Sequence, residues 1–140
     1  MDISAYTYAA MANRAADVMP NGGSMLAMSY YGAEKAVPGY NVMGVAKAAL
    51  EATNRYLALE LGPKNLRMNV ISGGPLRTMS SMAVGGFAEI LDWVEQKAPL
   101  HRNITGADVG NTASWLLRDY SAGITGQVVY VDSGYSIVGL

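Results

Sequence analysis

Three short apolar runs, separated by long helical stretches, set the limits on what this chain can fold into. They cover residues 24–29, 66–72 and 127–132. Strands that alternate with helices pair in parallel, because each crossover carries the chain back to the end of the sheet it started from. The expected architecture is therefore α/β, with a doubly wound parallel sheet. Ligands of such sheets bind beyond the carboxyl ends of the strands. Here those ends fall at Ser29-Tyr30, at Ser72-Gly73-Gly74-Pro75 and at Asp132-Ser133-Gly134.

The punctuation between the runs supports this reading. Residues 6–19 are rich in Ala and Met, both strong helix formers, and Pro20-Asn21-Gly22-Gly23 breaks the pattern. A second helix is expected from about Tyr40 or Asn41 to Leu61, stopped by Gly62-Pro63: a glycine cap, then a residue that cannot continue the helix. Residues 78–86 are small and flexible in composition, and a helical pattern resumes over 87–97. Thr105 and Asp108 form a capping box ahead of a helix running to Arg118. The run 24–29 reads as a buried strand, and Trp93 and Trp115 as core residues. His101, the sole histidine, lies in a loop and reads as a surface residue.

Composition narrows the function classes. The 140 residues fit one domain, and 51% are hydrophobic, enough for a packed core. The net charge of -1, with Lys and Arg dispersed, excludes the clustered basic surface that nucleic acid demands. Without cysteine there is no disulfide or thiolate chemistry, and no metal site is expected. No apolar stretch is long enough to span a bilayer, and the start lacks the basic and apolar regions of a secretory leader. The expected location is cytoplasmic.

Tyr40 and Lys47 carry the most pointed chemistry. Seven positions along a helix make nearly two turns, about 10.5 Å of rise, so both side chains share one face. Gly44 lies between them. A glycine inside a helix costs up to ~1 kcal/mol relative to alanine, which implies that something approaches the backbone there. A phenol titrates near ~10, and a nearby ammonium favours its ionised form. Such a phenol can hydrogen-bond a carbonyl oxygen on its way to an enolate, while the lysine holds ribose hydroxyls with its remaining donors. A tyrosine and a lysine at this spacing also occur by chance in ordinary helices. Tyr30, at the end of the first run, can converge on the same cleft, or be an ordinary strand-end tyrosine. The glycines of Gly73-Gly74-Pro75-Leu76-Arg77-Thr78 let a flat ring approach the backbone, with Leu76 backbone and the Thr78 hydroxyl as partners for an amide and a phosphate. A plain turn is the simpler account of that stretch.

Ser29-Tyr30-Tyr31-Gly32-Ala33-Glu34-Lys35-Ala36-Val37-Pro38-Gly39-Tyr40-Asn41-Val42-Met43-Gly44-Val45-Ala46-Lys47 resembles the active-site stretch of enoyl-acyl-carrier-protein reductases of the short-chain dehydrogenase type. Residues 69–78 and 122–134 are similar to that family too, so the likeness covers essentially the whole chain. Carbonyl-reducing relatives carry a serine upstream of the tyrosine, in a window that here holds Leu26, Ala27 and Met28. The resemblance implies NAD(P)H-dependent reduction of a trans-2-enoyl thioester carried on acyl carrier protein, in fatty acid biosynthesis. It implies Tyr40 as hydrogen-bond donor to the thioester oxygen, Lys47 as its support and ribose contact, and Tyr30 as a lining residue of the same pocket. Leu76, Arg77, Thr78, Met79 and Ser80 would contact the cofactor amide and pyrophosphate. Met43, Met82 and Phe87 would touch the acyl chain, with core packing as the alternative for all three.

The resemblance also marks an absence. The family opens with a glycine-rich turn after its first strand, which cradles the cofactor pyrophosphate at a helix N-terminus. Gly22-Gly23 follows a helix and Gly85-Gly86 lies in a loop, so neither supplies that turn. The chain enters a helix almost at once, with no leading strand. The expectation is one partial Rossmann-like domain over residues 1–140, the C-terminal part of the sheet with the first strands missing. Alone it would bind nicotinamide cofactor weakly or not at all and would expose an apolar strand edge. The cofactor is expected to be NAD(H) in preference to NADP(H), although the residues that read the adenine ribose are not in the sequence. A homo-oligomer is expected for a full-length enzyme. The competing readings are a non-catalytic truncated product that survives by oligomerising, and another short-chain reductase, against which the missing serine speaks.

Overall fold

The computed structural model describes residues 1–82 and 86–139, with the backbone alone for Ser80 and Met82. Strands β1 (Gly23–Tyr30), β2 (Leu66–Gly73) and β3 (Val128–Val131) form one sheet in the order β1-β2-β3, and both pairings are parallel. The register runs from Gly23 beside Leu66 to Tyr30 beside Gly73, and from Val70 beside Val128 to Gly73 beside Val131. Tyr30, Gly73 and Val131 therefore stand side by side at the carboxyl rim.

The period of two along β2 sorts the layers. Leu66, Met68 and Val70 face helices α1 (Thr7–Val18) and α2 (Asn41–Leu61), and share a core with Tyr8, Ala12, Leu50, Ala58 and Leu61. Met68 and Val70 are completely buried, and burying such side chains stabilises by about 1.5–3 kcal/mol each. Arg67 and Asn69 turn the other way, towards helix α5 (Gly106–Leu117) and the segment after it. The Arg67 guanidinium donates to Ser121 Oγ at 3.1 Å and to the Ile124 carbonyl at 3.2 Å. Asn69 donates to the same Ile124 carbonyl at 2.9 Å and accepts from the Gln127 N–H at 3.1 Å. With helices on both faces the sheet is doubly wound.

Several sequence expectations need correction. β1 is half-buried rather than buried: it is the edge of the three-stranded sheet, and of its residues Ser29 alone is buried while Met28 is exposed. Gly62 does cap α2, but in a right-handed conformation (φ -53°), so the chain makes one more 3-10 turn, Gly62–Lys64. Asn65, left-handed at φ 58°, is what ends it. Helical structure starts before residue 6, with a π turn over Asp2–Tyr6. Part of the stretch read as a flexible loop forms a single turn, α3 (Met79–Met82), and α4 (Phe87–Lys97) follows. Residues 83–85 lie outside the described residues. Trp93 and Trp115 are 53% and 42% exposed, not core. α4 turns Leu91 and Val94 inward instead, and α5 turns Leu116.

Candidate active site

Tyr40 sits at the hinge between a loop and α2, as the residue preceding the first helical turn. It is flanked by Gly39 at φ 80° and Asn41 at φ 31°, residue types that tolerate the left-handed region. Its ring meets the Tyr30 ring edge-on, with centroids 4.8 Å apart and an interplanar angle of 68°, a favourable aromatic geometry. The two rings therefore meet, although Tyr30 lines one cleft and Tyr40 another. Two glycines make the meeting possible. A side chain on Gly32 would run into the Tyr40 ring, and a Cβ on Gly44 would stand 2.6 Å from the Gly32 carbonyl oxygen. The close approach expected at Gly44 exists, and it is the chain's own backbone.

Lys47 lies nearly two turns further along α2, and its ammonium donates to the Met28 carbonyl at 2.8 Å. An ammonium has three donors, so this bond leaves capacity for ribose hydroxyls, and the lysine fits a nicotinamide nucleotide in that respect. Burial lowers the Lys47 pKa, partly opposed by the Glu51 carboxylate. Burial raises Tyr40. It raises Tyr30 too, helped by neighbouring Tyr135 and Tyr40. The expected lowering of Tyr40 by the ammonium is thus not what governs this arrangement, because desolvation dominates. Kept protonated, the phenol is a hydrogen-bond donor.

The strip read as cofactor-binding leaves the sheet beyond Gly73. Leu76 is half-buried, while Arg77, Thr78 and Met79 are exposed. The Thr78 hydroxyl accepts from the Ser81 N–H at 3.1 Å, and Ser81 Oγ accepts from the Thr78 N–H at 2.8 Å and donates to the Leu76 carbonyl at 2.8 Å. Ser80 contributes backbone to α3, and its side chain lies outside the described residues. Gly74 is glycine for a reason unrelated to a ring: a Cβ there would stand 3.0 Å from Asp132 Cα. Gly73 would meet no atom closer than 3.7 Å.

The model of the family described as enoyl-(acyl carrier protein) reductase matches residues 1–136.

The chain belongs to the enoyl-acyl-carrier-protein reductase family.

It is 54% identical over 140 residues to the enoyl-[acyl-carrier-protein] reductase [NADH] of Synechocystis, covering 100% of this chain and 54% of that protein. To the enoyl-[acyl-carrier-protein] reductase [NADPH] of Staphylococcus aureus it is 53% identical over 137 residues, 98% of this chain and 54% of the relative. The Bacillus cereus enoyl-acyl carrier protein reductase, solved with NADP+ and indole naphthyridinone, superimposes with a TM-score of 0.96 at 50% identity, over 98% of this chain and 53% of that one. The chain thus spans about half the length of these enoyl reductases, and its sheet and helices have their Rossmann-like α/β arrangement.

Two residues beside the Tyr30–Tyr40 corner were not expected there from the sequence. A cleft of ≈ 480 Å³ opens beside Tyr30, walled by Tyr31, Val37 and Pro38 on one side and by Ile90, Trp93 and Tyr135 on the other. Trp93 was expected in the core. Tyr135 is delivered by a turn in which Asp132 accepts from the N–H groups of Gly134 at 2.9 Å and Ser136 at 2.7 Å. Its signal was present, since Asp132-Ser133-Gly134 closes a strand at the rim that holds Tyr30. Met43, 43% exposed on α2, and half-buried Phe87 are not among the walls of this cleft. The Met82 side chain lies outside the described residues.

Proposed function

We propose that this chain supplies the catalytic tyrosine and lysine of an NAD(P)H-dependent reductase of trans-2-enoyl thioesters on acyl carrier protein, acting in fatty acid biosynthesis. The observation that carries the reading is the edge-on meeting of Tyr30 and Tyr40 at the carboxyl rim, with Lys47 on the same helix, in a chain of this family. When bound, a reduced nicotinamide supplies the hydride for the β-carbon. Tyr40, protonated, donates to the thioester oxygen as negative charge gathers there, the stage at which a fixed donor contributes most. Tyr30 fixes the ring of Tyr40 and narrows the cleft. Lys47 gives its remaining donors to the ribose and keeps positive charge near the developing enolate.

Leu76, Arg77, Thr78, Met79 and Ser80 are assigned to the cofactor amide and pyrophosphate, and Met43, Met82 and Phe87 to the acyl chain. NAD(H) is preferred to NADP(H), in keeping with the relative from Synechocystis, while the one from Staphylococcus aureus is named for NADPH. The full enzyme is read as a cytoplasmic homo-oligomer, with residues 1–140 as one partial Rossmann-like domain. The test is reduction of a crotonyl thioester by the unmodified protein and by Tyr40→Phe, with NADH and NADPH in parallel. Reduction that collapses in Tyr40→Phe supports the reading. No reduction with either nucleotide, or an undiminished Tyr40→Phe, sinks it, and the former outcome favours a non-catalytic product. A faster rate with NADPH reverses the cofactor preference alone.

A further inference from the structure

Lys47 and Glu51 stand one turn apart on α2, and they grip consecutive residues of β1. Lys47 donates to the carbonyl of Met28 at 2.8 Å. Glu51 accepts, through Oε1, a hydrogen bond from the hydroxyl of Ser29. The next residue of β1 is Tyr30, whose ring abuts Tyr40 at the start of the same helix. Ser29 is buried at 6% exposure and Glu51 is half-buried, so the bond lies between strand and helix, where water competes little with it.

We infer that Glu51, anchored by Ser29, is a positioning residue: it fixes α2 against the end of β1, and so holds the Lys47 ammonium and the Tyr30–Tyr40 pair in their working arrangement. The inference rests on the functional reading of Lys47 given above. A single grip leaves the helix able to pivot about one point. Two grips, on adjacent strand residues and successive helical turns, fix both its rotation and its translation relative to Tyr30.

The carboxylate has a second effect on its neighbour. Desolvation draws Lys47 towards the neutral amine, and Glu51 opposes it. The other charged and titratable groups around this point are engaged elsewhere or exposed. Arg55, one turn further along α2, is exposed, as are Asp2 and Tyr6 of the π turn packed on the helix. Tyr8 of α1 donates to Asn54 at 2.9 Å. Tyr130 of β3, whose pKa is raised by burial first and then by Glu34 and Glu51, donates to Glu34 at 2.6 Å.

The experiment is titration of the Lys47 ammonium by NMR in the protein carrying labelled lysine, for the unmodified chain, Glu51→Gln and Ser29→Ala, together with pH profiles of kcat and KM for crotonyl thioester reduction. Glu51→Gln keeps the shape of the side chain and removes its charge. It is expected to lower the Lys47 titration, and to lower kcat at alkaline pH while KM changes less. Ser29→Ala keeps the carboxylate but loses the anchor. It is expected to lower kcat across the pH range, with a smaller change in the lysine titration. An unmoved lysine titration in a folded Glu51→Gln protein, or unchanged kcat in both variants, overturns the inference. If the unmodified protein reduces no enoyl thioester, the functional reading fails, yet the lysine titration still tests whether Glu51 governs Lys47.

Discussion

The corner from Tyr30 to Lys47 and the strip from Gly74 to Met82 both leave the same rim of the sheet, and they are built on opposite principles. In the corner, each functional group is held by parts of the chain distant from it: Tyr40 against Tyr30, Gly44 against the Gly32 carbonyl, Lys47 on the Met28 carbonyl. In the strip, the polar groups hold one another, with Thr78, Ser81 and the Leu76 carbonyl closed into a local set of bonds, while Arg77 and Met79 point into solvent. On the proposed reading, the Tyr40 donor is pre-organised, in the sense that its position costs nothing further at the moment of reaction. Past Gly74, whose N–H donates to the Val131 carbonyl at 2.8 Å, the strip shows no hydrogen bond of that long-range kind among the described residues, so its binding geometry would be set when a ligand arrives, at a cost in ordering.

The largest expected effect tests the corner. Tyr40→Phe removes the donor and leaves the ring, so kcat for thioester reduction should fall about 10²–10³-fold with the melting temperature nearly unchanged. A mild loss of rate with a large loss of stability would reverse the roles assigned to the two regions. Next comes Gly44→Ala. With the Gly32 carbonyl oxygen 2.6 Å from the new Cβ, overpacking should cost about 1–3 kcal/mol in denaturant unfolding. The same change at Gly62, where no atom beyond its chain neighbours lies within 4 Å of a new Cβ, meets only the following Pro63 and should cost less than at Gly44. Equal effects at the two glycines would mean that the interlock does not constrain the fold.

A smaller effect lies away from both regions and serves as their control. Thr105→Ala, which removes the cap of α5, should cost about 1 kcal/mol without altering kcat. Its partner Asp108 is held well below the usual carboxylate range, first by Arg102 and then by the backbone and hydroxyl of Thr105. A carboxyl depressed in the folded state adds stability above its unfolded pKa and loses it as pH falls through the folded value. Stability of the parent should therefore drop below about pH 4 more steeply than that of Asp108→Asn, and salt should narrow the difference. The smallest effect belongs to the strip. Met79→Ala, at a side chain 94% exposed, should change stability by less than about 0.5 kcal/mol, and any consequence should appear in the KM for nucleotide.

The limits of α2 were legible because its start follows a Pro-Gly loop and its end a Gly-Pro pair, and the structure gives Asn41–Leu61 as expected. The capping box of α5 was equally legible, since its two hydrogen bonds require a fixed spacing of Thr105 and Asp108. Trp93 was not. On a helix with three acidic residues and several apolar ones, the face turned to the core depends on the angle at which the helix lies, and that angle is set by contacts remote in sequence. Tyr135 was missed for a related reason: Asp132-Ser133-Gly134 signals the turn after β3, but which cleft the next side chain enters is set by contacts remote in sequence. Gly44 was read correctly as a site of close approach, but a glycine records that something comes near without recording what.

The register of the sheet carries one more consequence. Side chains alternate along β1, so sliding this strand by a single residue past Leu66–Gly73 would swap Ser29 and Tyr30 between faces. The site cannot drift by small degrees along the strand; it is either in phase or lost. Insertions and deletions that preserve function are thereby confined to stretches beyond the rim, where a change of length is absorbed before it reaches the next strand. Diversification of what enters the cleft would fall on those stretches, while the phase of β1 stays fixed.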